Sequence, residues 1–227
     1  MVLSRRVSVL DALVRDIEAE VMAQADTGGV VLTTSFSKED QVLTWAVAES
    51  GAEVDVVSLD TGFLFPATAE TWKQSEVHFG LKVRSLKPDE EAVTGLGALE
   101  RIYEGVDARK QCCSVRKIQP LRRVLAGKGA WLTGLRRVQS PNRATMEKRE
   151  KDAGWDILKV HPLLEWDDAT LDAVVSATGV PVNPLHKMGY PSIGCAPCTR
   201  PVLPHEDARA GRWWWEQSSK ECGLHRG

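Results

Sequence analysis

Short β-branched runs alternate along this chain with longer helical stretches, and glycine closes most of the latter. Val30-Val31-Leu32-Thr33-Thr34 is the first such run. After Ser35-Phe36-Ser37-Lys38-Glu39-Asp40 a helical pattern runs to Glu49, and Gly51 stands where a C-cap glycine belongs. Val54 to Leu59 reads as a second strand, ending in Asp60-Thr61-Gly62, and Pro66 opens a helix that stops at Gly80. Leu81 to Leu86 is a third strand. Ala130 to Thr133 is a fourth, after a helix near Lys117–Ala126, and Ile157 to Val160 is a fifth. A last helix covers about Asp168 to Thr178 and stops at Gly179. Such alternation predicts an α/β fold, a mostly parallel sheet with helices on both faces.

At 227 residues this is one large domain. Residues 1–203 read as the α/β body, and 204–227 as a C-terminal tail of the same domain packed over the sheet's carboxyl edge. Lys and Arg number 29 against 31 Asp and Glu, so the net charge is −2, too little to attract nucleic acid without sequence preference. No apolar run approaches the roughly 18 residues of a membrane span. Ser4-Arg5-Arg6 resembles the start of a twin-arginine signal. Asp11, Arg15 and Asp16 interrupt the apolar stretch such a signal needs, so residues 8–25 are read as an amphipathic helix in a cytoplasmic protein.

In sheets of this kind ligands bind at the carboxyl ends of the strands. Three polar loops fall there: Ser35–Asp40, Asp60–Gly62 and Gly134–Arg143. The first offers hydroxyls and backbone N–H groups at a helix N-terminus, which suits an anion, and reads equally as a capping box of Ser37 and Asp40. The third gathers Arg136, Arg137 and Arg143 around Ser140-Pro141, which favours an oxyanion site.

The five cysteines stand as Cys112-Cys113, Cys195-x-x-Cys198 and a lone Cys222. In a reducing compartment this pattern points to metal or catalysis rather than disulfides: a ligand set of four and a separate thiol. Four thiolates can hold zinc or an iron–sulfur cluster. Adjacent side chains diverge on regular backbone, so Cys112 and Cys113 reach one ion only through a distorted turn. A four-iron cluster offers separate corners and suits them better. Arg109, Lys110, Arg116, Lys117 and Arg200 flank the two pairs and can offset a cluster's negative charge. Trp213, Trp214 and Trp215 cannot all face a core, so some of them cover a ligand, a protein partner or another copy in a homo-oligomer. His225 or neighbouring arginines can raise the thiolate fraction of Cys222, whereas Glu221 alone lowers it.

Taken together, Ser35-Phe36-Ser37, Leu59-Asp60-Thr61-Gly62, Cys112-Cys113-x-x-Arg116-Lys117 and Thr133-Gly134-x-Arg136-Arg137 resemble the assimilatory sulfonucleotide reductases. So do Ser192-Ile193-Gly194-Cys195-x-x-Cys198-Thr199-Arg200, Gly211-Arg212-Trp213-Trp214-Trp215 and Lys220-Glu221-Cys222-Gly223-Leu224-His225. Within that family the likeness is to the cluster-containing adenylyl-sulfate (APS) reductases, over about residues 30–225. It implies an adenine-nucleotide-hydrolase-like fold of the ATP-pyrophosphatase type. It also implies a [4Fe-4S] cluster on Cys112, Cys113, Cys195 and Cys198, and thioredoxin-dependent reduction of APS to sulfite and AMP. By the same resemblance Cys222 is the nucleophile that forms an S-sulfocysteine. Ser35, Ser37, Leu59, Lys117, Gly134, Arg143, Arg209 and Arg212 are the substrate-binding residues.

Two departures sharpen this. ATP pyrophosphatases carry a Ser-Gly-Gly-Lys-Asp loop, and Phe36 and Ser37 replace its glycines here, which argues against ATP cleavage. Relatives that reduce the 3′-phosphorylated substrate (PAPS) lack the cluster cysteines. Their presence here favours APS, with PAPS or dual reduction as the alternative. A sulfur-inserting RNA-modifying enzyme would need the glycine-rich loop and a basic surface. A zinc module presenting its tryptophans to a protein would be colourless. An alternation of docked and open tail, hinged at Gly211 and Gly223, would let Cys222 serve two steps.

Overall fold

The computed structural model describes residues 2–216, with side chains from residue 9 onward. The sequence's α/β expectation is met by a six-stranded sheet in the order β3-β2-β1-β4-β6-β5, in which every pairing is parallel except β5 with β6. In chain order the elements are α1 (Val2–Ala23), β1 (Val30–Thr33), α2 (Lys38–Ser50), β2 (Val54–Leu59), α3 (Pro66–Phe79) and β3 (Arg84–Leu86). There follow α4 (Glu90–Thr94), α5 (Val106–Cys113), α6 (Gln119–Leu125), β4 (Ala130–Leu132), β5 (Arg149–Asp152), β6 (Ile157–Val160) and α7 (Asp168–Thr178).

The central strands are apolar on both sides because both faces are covered. Val30 and Leu32 of β1, and Ala130 and Leu132 of β4, pack with Leu13 and Ile17 of α1, Leu43 of α2 and Leu171 of α7. The alternate residues, Val31 and Trp131, face Leu121, Val124 and Leu125 of α6. Glycines in the left-handed conformation close α2, α3 and α7 at Gly51, Gly80 and Gly179, as their sequence positions suggest.

Four features depart from the sequence reading. The first helix begins at Val2 rather than near residue 8, and β3 is three residues rather than six. β5, Arg-Glu-Lys-Asp, has no apolar alternation and joins the sheet through antiparallel pairing with β6 and through ion pairs such as Arg149 with Glu20. Between Leu86 and Lys117 the chain makes α4, a 3₁₀ turn at Leu99–Tyr103 and α5. Among the described residues no helix is long and apolar enough to cross a membrane.

Candidate active site and cysteine cavity

β1 and β4 lie side by side, and the chain leaves them toward opposite edges of the sheet. The crevice outside their carboxyl ends is therefore the topological switch point, where ligands of open α/β sheets bind. The loop after β1 turns through Phe36, whose φ of 61° lies in the left-handed region favoured by glycine. Its ring is 2% exposed and packs on Trp72, with centroids 5.2 Å apart. Phe36 thus supplies the backbone turn of a glycine and anchors it in the core.

Ser37 caps α2, its hydroxyl accepting from the Asp40 N–H at 3.2 Å. The Ser35 N–H and hydroxyl both donate to Asp40 Oδ2 at 2.7 Å. Burial pushes the Asp40 carboxyl up to about 6, outweighing those two bonds. Both hydroxyls therefore serve the loop's own turn, and what remains for an anion is the first turn of N–H groups in α2. Gly134 follows β4 where a Cβ would collide with the Asp40 carboxylate and crowd the Glu39 Cβ, so glycine lets the two loops touch. Leu59 ends β2 half-buried against the second core.

The three arginines expected to form an oxyanion site are largely committed within the protein. Arg136 donates through Nε and Nη2 to Glu39 Oε1 at 2.9 and 2.8 Å, and through Nη2 to Asp168 Oδ1 at 2.7 Å. Arg137 pairs with Glu165 at 2.5 Å and donates to the Arg143 and Ala144 carbonyls. Acids at the rim of the crevice neutralise both, a feature invisible in the local motif. Arg143 is buried and donates to the Gln139 side-chain oxygen, while the Gln139 amide donates to Glu39 at 2.9 Å.

The second half of the site is a small cavity. All four paired cysteines line it, with Arg109, Arg116 and Lys117. Cys112 and Cys113 are the last two residues of the regular helix α5, which runs directly into a π-helical turn at Ser114–Ile118, so the vicinal pair itself carries no distorted turn. Cys195 starts a 3₁₀ turn ending at Cys198. Among the described residues no three His, Cys, Asp or Glu side chains converge as around a single ion. The four thiols are instead spread over the walls of one cavity.

This lining fits a multi-atom anionic group. Burial and the neighbouring Cys195 thiol push Cys198 up to about 12, with Lys117 and Arg212 pulling the other way. Burial also raises Cys112, against Arg116. Cys112 and Cys198 are therefore held as neutral thiols beside cations. Buried donors at Arg116 Nε, Arg212 Nε and Trp213 Nε1 have no acceptor among the described residues, which suits thiolate and sulfide acceptors in the cavity.

The cavity is tied to β2. Thr61 Oγ1 lies 3.3 Å from Cys195 Sγ, Arg116 Nη1 donates to the Thr61 carbonyl at 2.9 Å, and the Ala196 N–H donates to the Phe63 carbonyl at 2.8 Å. Thr61 had no sequence signal beyond its place in Asp60-Thr61-Gly62. Neither Glu39 nor Glu216 had any.

Arg212 is buried beside the cavity, with Nη1 donating to the Ile193 carbonyl at 3.1 Å and its guanidinium over Trp213 at 4.9 Å. Arg209 is half-buried; its carbonyl accepts from the Arg212 N–H at 2.9 Å. Gly211, one of the two expected hinge points, is closely packed. Its carbonyl accepts from the Arg200 N–H at 3.0 Å, and a Cβ there would collide with the Arg200 carbonyl. The tryptophans sit on turns rather than a helix: Trp213 is 1% exposed against Cys195 and Cys198, and Trp214 is 49% exposed. The structure thus brings Lys117 and Arg212 to the cysteines, and Ser35, Ser37, Gly134 and Arg143 to the crevice. Cys222, Gly223 and His225 lie outside the described residues.

The family model described as phosphoadenosine phosphosulfate reductase domain matches residues 29–201. A relative from Agrobacterium fabrum, named adenosine 5'-phosphosulfate reductase, is 45% identical over 92% of this chain and 83% of its own. Among solved structures, a phosphoadenylyl-sulfate reductase from Candida auris superposes with TM-score 0.66 at 23% identity, over 82% of this chain and 94% of that one. An NH3-dependent NAD synthetase from Campylobacter jejuni does so with TM-score 0.57 at 12% identity, over 82% and 78%. These two show the fold, the adenine-nucleotide-hydrolase-like arrangement expected from the sequence.

Proposed function

Because the chain belongs to the phosphoadenosine phosphosulfate reductase family, we propose that it reduces APS to sulfite and AMP. The observation that carries this reading is the 45% identity, over 92% of this chain, to a relative bearing the APS reductase name. The four cysteines on one cation-rich cavity support a resident [4Fe-4S] cluster held by Cys112, Cys113, Cys195 and Cys198. When bound, that cluster would supply fixed charge and a rigid frame beside the substrate.

The remaining chemistry is done by side chains. The Cys222 thiolate attacks the sulfur of the sulfate–phosphate anhydride; a sulfur–sulfur bond forms, the bond to the phosphate oxygen breaks, and AMP leaves as the anion. A thiolate of thioredoxin then attacks the Cys222 sulfur. Sulfite departs with the electron pair, and the resulting mixed disulfide is resolved by the second thioredoxin thiol, which leaves Cys222 reduced. Nucleophile and substrate are both anions, so cations must offset them: Lys117, Arg143, Arg209 and Arg212 are the candidates. The α2 N-terminus at Ser35–Ser37, with Leu59 and Gly134, holds the nucleotide. Residues 204–227 form the catalytic tail of the single domain, and the thiol chemistry belongs in the reducing cytoplasm.

Intact-mass analysis after mixing with APS and no reductant tests the reading. Wild type should gain one sulfonate on Cys222 and release one AMP, and Cys222→Ser should gain none while still binding APS. An adduct on another cysteine would remove Cys222 from its role. A kcat/KM for PAPS equal to that for APS would make the enzyme dual.

A further inference from the structure

Arg109 lies on α5 one turn before Cys113. Its Nε donates to Glu216 Oε1 at 2.9 Å and its Nη2 to Oε2 at 2.7 Å, a two-bond pair with both side chains 4% exposed. The same guanidinium stacks over Trp213 at 4.6 Å and hydrogen-bonds the Cys113 thiol. The backbone around Glu216 is held from the same side: its N–H donates to the Trp213 carbonyl at 2.8 Å, and the Trp213 N–H to the Cys198 carbonyl at 3.0 Å. One cation therefore joins Cys113 to a segment more than a hundred residues further on, which is itself hydrogen-bonded to the Cys198 carbonyl.

A buried ion pair is a poor source of stability, since apolar side chains of equal volume generally do as well, but it specifies position sharply. The position specified here is the origin of the last stretch of chain. Cys222 stands six positions after Glu216, so even a fully extended chain keeps the Cα atoms of the two within about 20 Å. We propose that Arg109 and Glu216 are positioning residues that fix, against the cysteine cavity, the point from which Cys222 is delivered to the substrate. This rests on Cys222 being the nucleophile.

The test uses the full-length, iron-loaded protein as wild type, Glu216→Gln and Arg109→Lys. These variants keep size or charge but lose the two-bond fork, and either suffices if the other fails to fold. Iron and sulfide content and AMP affinity should be unchanged. Single-turnover sulfonate transfer to Cys222 should slow about tenfold or more, the equivalent of one charge-assisted hydrogen bond. Amide hydrogen exchange at Trp213 and Glu216 should accelerate by a similar factor. Wild-type transfer or unchanged exchange would overturn the proposal. So would loss of iron or of AMP binding in step with transfer, because the pair would then merely support the cavity. If wild type itself forms no Cys222 adduct, the nucleophile assignment fails, and the exchange data still decide whether the pair anchors the chain.

Discussion

The crevice between β1 and β4 and the cysteine cavity satisfy their polar groups in opposite ways. At the crevice, Glu39 accepts from Arg136 and Gln139, Gln139 accepts from Arg143, and Asp40 accepts from Ser35. That network is complete without a ligand. Around the cavity, buried donors of Arg116, Arg212, Trp213 and Trp215 lack acceptors among the described residues, and Cys112 and Cys198 are held neutral amid cations. The first region pairs its polar groups within the chain; the second leaves donors that suit the cluster proposed above.

The sharpest way to break this contrast is to remove a cavity thiol. Cys113→Ser should lose iron and sulfide together, with turnover falling more than about 100-fold, while AMP still binds at the crevice. Iron analysis and AMP titration on one preparation check both halves, and parallel loss of AMP binding would mean the regions are not separable. Next in size is Arg136→Ala, which leaves Glu39 buried with its cation gone. About 3–5 kcal/mol of folding stability should be lost in urea denaturation, with iron content per folded chain unchanged.

The smallest effect sharpens the comparison through pH. Asp40 has a folded-state value near 6, above its unfolded 3.8, so the native state binds the extra proton. Its contribution is therefore fully present below about pH 4 and lost as pH rises through about 6. Relative to Asp40→Asn, wild type should lose about 2–3 kcal/mol over that window. Denaturation midpoints of the two proteins at pH 4.5 and 7 measure it, and parallel curves would remove Asp40 as a buried acid.

The same contrast explains what was legible in the sequence. Val30–Thr33, Gly51, Pro66 and Gly179 announce themselves because strands, caps and stops are local events of a few residues. The π turn at Ser114–Ile118 was not legible, because it follows Cys112-Cys113 rather than containing them. β5 was missed because four charged residues become a strand through pairing with β6, not through propensity. The pairing of Arg136 and Arg137 was missed because their carboxylates come from α2, from α7 and from the turn before α7. Whether an arginine is free for a substrate is a tertiary fact.

β5 has one more consequence, for how copies of this chain behave together. A net charge of −2 gives molecules little mutual repulsion, and the β1 and β4 cores, Val-Val-Leu and Ala-Trp-Leu, are the kind of segment that stacks between chains. The sheet's open margin beyond β6 is instead occupied by Arg149, Glu150, Lys151 and Asp152, a strand short and ionic enough to be a poor template for another molecule's backbone. At the opposite margin, Arg84 on the three-residue β3 is tied to Asp55. Colloidal stability in this fold thus resides at the two ends of its sheet, in strands that contribute almost nothing to its core.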